Sequence, residues 1–374
     1  MKENRIVIVG AGFVGATLAW YLSKHYLSSG DKGKIILIDK GLLGNGVTKQ
    51  SFAWLNVSYG RPGADRKLRQ QALNEWHKLD QQTNGKLNVN WSGAISWQET
   101  EYATRQFIDD HNKSGFKITA LTKDELLMLE PQLSSYPDIA AFAKEEGAVD
   151  PIHATQFLLQ EAINNGVTYL PETEVTSINH NGKQITGVTT SQETIHAEQV
   201  VLTAGVGTIS LMETLGETAY LYSSPSIIVQ YQHQANIPFV RHIISTPDLE
   251  VRPVLGTRLL AAEDYISDQP EHSAMCIAQK ALTLIKESFI GSDSLCLEQA
   301  SVGIRPMPDD GMPIVGKVAD YQGLYMISMH TAITLAPLIC RLAQEEIING
   351  TEQAELKPFR IARFVPENKG ATKK

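Results

Sequence analysis

Three glycines and one acid near the amino terminus have the spacing of a site for a diphosphate. In RIVIVGAGFVGATLAWYLSK, Gly10, Gly12 and Gly15 form G-x-G-x-x-G directly after a short β-branched run. Gly10 would turn the chain, Gly12 would let backbone approach a pyrophosphate, and Gly15 would let a helix lie close to a strand. Ala11, Phe13 and Val14 complete the turn and the helix start, whose N–H groups would face the anion. The later run KIILID ends on Asp39, followed by Lys40, and a carboxylate there can accept hydrogen bonds from a ribose diol. Near the far end, GIRPMPDDGMPIVG holds Arg305 between Ile304 and Pro306, ahead of an acidic turn. On residue type alone, Arg305 either meets a ligand or pairs with Asp309 or Asp310 beside it.

The elements that must position these residues are readable. Residues 6–9 suit a parallel strand buried on both faces, and Val14, Leu18 and Leu22 recur at helical spacing. A second strand leads to Asp39, after a loop over SSGDKG, residues 28–33. Strand, fingerprint, helix, strand and acid, in that order, predict a dinucleotide site. The alternative is a glycine-rich helix packed on a sheet, and the fingerprint does not separate FAD from NAD. The uncharged run 6–23 is long enough to suggest a membrane span, but glycines interrupt it and charges flank it. A strand, a tight turn and a buried helix explain it better.

A length of 374 residues predicts two structural units sharing a large core. With 43% hydrophobic and 20% charged residues the composition is that of a soluble protein, and only the tail PENKGATKK is of low complexity. The net charge of -8 provides no basic field for nucleic acid or an anionic membrane. Cys276, Cys296 and Cys340 are widely spaced, with no C-x-x-C and no His/Cys cluster at metal-ligand spacing. They read as reduced core residues of a cytoplasmic protein without a metal.

Just past the second strand, GNGVTKQSFAWLN (44–56) places glycines before a polar cluster. This arrangement resembles the family of FAD-dependent amino-acid oxidases that includes D-amino-acid oxidase, glycine oxidase and sarcosine oxidase. The resemblance implies that Thr48, Lys49 and Ser51 wrap the pyrophosphate and ribityl chain. A solvated loop is the alternative, with Phe52 and Trp54 left to core packing. Residues 147–178 predict a turn, a helix carrying Phe157, Leu158 and Ala162, and two strands. By the resemblance, Val175 would set its backbone against adenine. QVVLTAGVGT (199–208) would be a buried strand closing over the dinucleotide at Ala204 and Gly205. His153, beside Pro151, reads as structural.

In GLYMISMHTAITLAPLICRLAQEEIING (323–350), Leu338, Leu342 and Ile347 mark a closing helix, with Pro337 expected near its start. By the resemblance, its N-terminal residues Thr331, Ala332, Ile333, Thr334 and Leu335 point at the flavin's pyrimidine edge. A positive helix end stabilises the charge gathered there on reduction. Relatives carry glycine where Ala332 stands, which puts the backbone of 331–334 in question, since alanine reaches positive φ only at a cost. Aligned on LAP, His330 stands where glycine-oxidase-like members can present a polar side chain; anchoring on the histidine instead shifts the register by two residues.

The family's G-x-R-P implies that Arg305 grips a substrate carboxylate with its planar fork, so that the α C–H points at the flavin. Arg305 and His330 are therefore the expected catalytic residues. Sarcosine-oxidase-like members attach flavin through a cysteine before the Pro-Asp pair, and ASVGIRPMPDD has none, so FAD is expected to be non-covalent. Residues 240–265 are expected to form a sheet over the substrate. His242, Arg252, Arg258 and Tyr265 are candidates to line it, and none is singled out. The expected fold is α/β: a doubly wound, Rossmann-like FAD domain (1–85, 146–215, 301–374) interleaved with an antiparallel-sheet α+β substrate domain (86–145, 216–300). The implied reaction oxidises the C–N bond of a small amino acid by hydride transfer to FAD, with oxygen or another acceptor reoxidising it. The rivals are an NAD-dependent dehydrogenase, a flavoprotein subunit of a homo- or hetero-oligomer with little activity alone, and the oxidase domain of a tRNA-modification enzyme, which the acidic balance disfavours.

Overall fold

The computed structural model describes residues 4–30, 33–234, 239–254 and 257–365. The low-complexity tail 366–374 and part of the 28–33 loop lie outside the described residues. The chain divides into two compact units, one of residues 1–48, 155–224 and 305–374, the other of 49–154 and 225–304.

In the first unit, six strands form one sheet in the order Ile314–Lys317, Leu324–Ser328, Gln199–Leu202, Asn4–Val9, Gly33–Ile38, Thr168–Leu170. Neighbours run parallel except at the Ile314–Lys317 edge. Val7 lies between Val200 and Ile36, and Ile8 between Val201 and Leu37. Side chains alternate between the faces. Val7, Val9, Ile36, Val200 and Leu202 share a core with Val175, Ile178 and Val188 of a three-stranded antiparallel sheet. Ile6, Ile8 and Leu37 are fully buried too. Burial of both faces explains why residues 6–9 read as a continuous apolar run. Helix Phe13–Ser29 follows the first strand and packs against the last long helix, Ala332–Asn349, where Cys340 Sγ lies 3.4 Å from Val14 O.

The first three interior strands end level, because Gly10 N bonds Ile38 O (2.8 Å) and Thr203 N bonds Val9 O (2.9 Å). Leu202 pairs with Met326, so the strand ending at Ser328 reaches the same edge. That edge, at the carboxyl ends of parallel strands, is where ligands of open α/β sheets bind.

The second unit is built on an eight-stranded, largely antiparallel sheet, with Ile243–Ser245 parallel to Ala94–Ser96. Helix Ala274–Ser288 buries Ile277, Ala281 and Ile285 with Ile227, Val229 and Val251, and Tyr231 donates its hydroxyl to Ala278 O (2.8 Å). Two strands of this sheet, Leu221–Gln232 and Cys296–Pro308, run past the unit limits, so Ser224 and Arg305 belong with the first unit.

The unit limits differ most from the sequence expectation at 49–85, which goes with the second unit rather than the first. The reason is a buried carboxylate. Glu146 accepts from Trp54 Nε1 (2.8 Å), Val57 N (2.7 Å), Ser58 N (2.7 Å) and Ser58 Oγ (3.0 Å). Trp54–Leu55 also pairs with Gly147–Ala148. Abandoning these contacts would strand a desolvated acid, which costs far more than a surface loop could recover.

Candidate functional site

A cavity of about 530 Å³ opens along that sheet edge within the first unit. Gly10, with φ +105°, makes the turn into the fingerprint helix. A Cβ on it would fall 2.6 Å from Thr203 O, and one on Gly15 would fall 1.9 Å from Gly10 O. Neither position admits a side chain. A Cβ on Gly12 meets only Thr48 Oγ1, at 3.1 Å, so this residue leaves backbone open on the cavity side. Thr48 Oγ1 accepts from Phe13 N (3.1 Å), replacing the side-chain cap that Gly12 lacks.

Asp39 lines the cavity with both oxygens held by backbone. Oδ2 accepts from Ala11 N (2.6 Å) and Oδ1 from Gly41 N (2.8 Å). A carboxylate offers about four acceptor sites, so these two bonds orient the group without exhausting it. Ser328, at the end of its strand, is buried against the cavity, and its Oγ has no hydrogen-bond partner among the described residues. An orphaned buried hydroxyl, a glycine face and an oriented carboxylate fit a polar dinucleotide such as FAD.

Arg305 and His330 reach the same cavity. The half-buried guanidinium donates from Nε to Ser224 O (3.3 Å) and from Nη2 to Ser224 Oγ (3.0 Å), and Nη1 lies 3.4 Å from His330 Nε2. Arginine has no acceptor, so that imidazole nitrogen takes the contact as the acceptor. The acidic turn has another partner: Asp310 forms a two-pronged ion pair with Arg363, at 2.7 and 2.9 Å.

The residues expected at the site fall into two groups. Gly10, Gly12, Phe13, Val14, Asp39, Lys40, Thr48, Val175, Ala204, Gly205, Arg305, His330 and Ala332 line the cavity. Ala11, Gly15, Thr331, Ile333, Thr334 and Leu335 do not. Gly15 packs behind the turn, Thr331 precedes the last helix, and Ile333, Thr334 and Leu335 are buried in the helix packing. Lys49 and Ser51 belong to the other unit and are not among the lining residues; Ser51 Oγ accepts from Ala53 N (3.1 Å). Sequence reasoning missed Thr203, Glu174, Ser210, Ser224 and Ser328. Thr203, adjoining Ala204, and Glu174, adjoining Val175, carried a nearby signal.

Three local expectations change. The turn before the last helix needs no glycine: Thr331 has φ -86°, and no residue of 329–334 takes positive φ. The helix begins at Ala332, so Pro337 is its sixth residue, beyond the first turn. It therefore removes an intrahelical bond rather than replacing an unused donor. Of the three cysteines only Cys340 is a core residue; Cys276 and Cys296 are free thiols at the surface.

The four candidates of 240–265 are each engaged within the second unit. His242 Nδ1 lies 2.8 Å from Glu130 Oε1, and Arg258 pairs with Glu298 (3.2 Å). The Tyr265 hydroxyl bonds Asp268. Arg252 is buried on the carbonyls of Phe52 and Val149, and burial lowers its pKa to about 10. His153 reaches Lys86 O (2.8 Å), a structural contact.

The sequence pattern of a family described as DAO, FAD dependent oxidoreductase, matches residues 5–346. The chain is 26% identical to 4-methylaminobutanoate oxidase (formaldehyde-forming) of Paenarthrobacter nicotinovorans, over 96% of this chain and 45% of that protein. It thus spans less than half the length of that relative. It is 24% identical to one subunit of an opine oxidase from Agrobacterium tumefaciens, over 97% and 98% of the two chains. Glycine oxidase of Geobacillus kaustophilus is 23% identical, over 96% and 97%. A crystal structure of glycine oxidase from Geobacillus kaustophilus superposes with a TM-score of 0.85 at 21% identity, covering 97% of this chain and 100% of that one.

Proposed function

The chain belongs to the DAO family of FAD-dependent oxidoreductases, and on that premise we propose that it oxidises the C–N bond of a small amino acid: a D-amino acid, glycine or an N-methyl amino acid. The observation that carries this reading is the placement of Arg305 in the cavity that holds the dinucleotide cradle. A guanidinium meets a carboxylate with two parallel hydrogen bonds, fixing the orientation of the carbon attached to it. Bound FAD supplies the hydride acceptor. The chain's own part is to hold and orient: Gly12 and the N-terminus of Phe13–Ser29 would hold the pyrophosphate, Asp39 would accept from the ribose, and Ser328 would bond the bound group. Ala332 brings the start of the last helix, the positive end of its dipole, to the cavity.

The relatives support the substrate class, since 4-methylaminobutanoate oxidase and glycine oxidase each act, by their names, on an amine or amino acid. The test is anaerobic bleaching of the purified flavoprotein by a panel of glycine, sarcosine, D-alanine and 4-methylaminobutanoate. Bleaching by none of them would sink this reading. A second reading, a flavoprotein subunit that works in a complex, is favoured by the full-length match to the opine oxidase subunit. A stoichiometric partner co-purifying with the chain would select it. The free thiols of Cys276, Cys296 and Cys340 suit a cytoplasmic setting.

A further inference from the structure

We propose that Ser224 is a positioning residue for the Arg305 clamp, an inference that rests on the carboxylate-binding reading of Arg305. The two residues lie 81 positions apart in the chain and meet because their strands, Leu221–Gln232 and Cys296–Pro308, are sheet neighbours. Both contacts from Ser224 fall on one edge of the guanidinium: the carbonyl takes Nε–H and the hydroxyl oxygen takes one Nη2 hydrogen. The end-on edge, formed by Nη1 and Nη2, is the one that presents two parallel donors to a carboxylate. His330 Nε2 lies 3.4 Å from Nη1. Ser224 therefore sets the plane of the fork as well as its place.

An arginine has a long stem with many rotamers, and holding it in one of them before ligand arrives reduces what binding must freeze. The backbone carbonyl contact survives any substitution at 224. The hydroxyl contact does not, so replacing the side chain isolates its share. Ser224 is half-buried on a strand, where its removal opens no cavity and where threonine is well tolerated.

The test uses the FAD-loaded protein and acetate as a minimal carboxylate, with affinity read by calorimetry. Ser224→Ala is expected to weaken acetate by about tenfold, because a bond to a charged group is lost. Ser224→Cys, of nearly the same size but a poor acceptor, should weaken it likewise, while Ser224→Thr should stay within about twofold of the parent. The flavin spectrum and thermal midpoint should not move in any of the three. Parental affinity in both Ser224→Ala and Ser224→Cys, with Arg305→Ala losing acetate, would overturn the role of Ser224 and leave the clamp standing. Parental affinity in Arg305→Ala, or no acetate binding by the parent, would overturn the clamp and this inference with it.

Discussion

Arg305 is held by a serine on the neighbouring strand, and the acidic turn beside it is held by Arg363. That division separates two roles that adjacent residues could have confused. Arg305→Ala is expected to leave a folded yellow protein whose kcat/KM falls by about 2 to 5 kcal/mol. Lysine should restore little, since it keeps the charge and loses the fork. Flavin reduction and thermal unfolding measured on the same variant check this; intact reduction with a lowered midpoint would make Arg305 a brace. Asp39 offers a second expectation. Its carboxylate fixes the fingerprint turn through Ala11 N and Gly41 N while lining the cavity. Asp39→Ala should weaken FAD by about 1.5 to 3 kcal/mol for each charge-assisted bond lost. Titration of apoprotein with FAD reads this, and an unchanged dissociation constant would assign the ribose to backbone.

Two neighbouring strands of the second unit, Glu250–Pro253 and Arg258–Asp264, carry carboxylates with consequences for stability. Burial, then the charges of Asp264 and Glu263, push Glu250 from 4.5 to about 7, although Ser245 donates to it. Burial and Asp264 raise Glu263 to about 7 as well. An acid with a raised folded pKa binds more protons folded than unfolded. Its contribution is complete below pH 4.5 and is lost as pH rises through about 7. The thermal midpoint should therefore fall between pH 5 and pH 8. Glu250→Gln should flatten that fall, with about 1 to 3 kcal/mol regained at the upper end. A variant whose pH profile superposes on the parent's would show that Glu250 is not the group responsible. The entry turn of the last helix, whose backbone the sequence left in question at Ala332, is built with ordinary backbone angles.

At the scale of the whole molecule, family membership closes the nicotinamide reading that the fingerprint left open. No cysteine lies in the few residues before the Pro308–Asp309 pair, so FAD should be released by acid: after precipitation the yellow colour should be in the supernatant, and colour retained in the pellet would refute non-covalent binding. The fold and the cradle were legible because their causes are local. A strand buried on both faces must be apolar throughout, and Gly10 and Gly15 stand where a Cβ would strike backbone. Asp39 follows its strand directly, so its place at the sheet edge was set by the strand itself. Other matters required the tertiary structure. Residues 49–58 join the second unit because Glu146, some ninety positions away, needs their donors. Arg305 meets Ser224 because strand pairing brings the serine to its side, and Asp310 meets Arg363 across a gap of 53 residues. Sequence determines what a residue can bond and what its backbone can adopt; only the assembled sheet decides which distant partner lies within hydrogen-bonding reach of it.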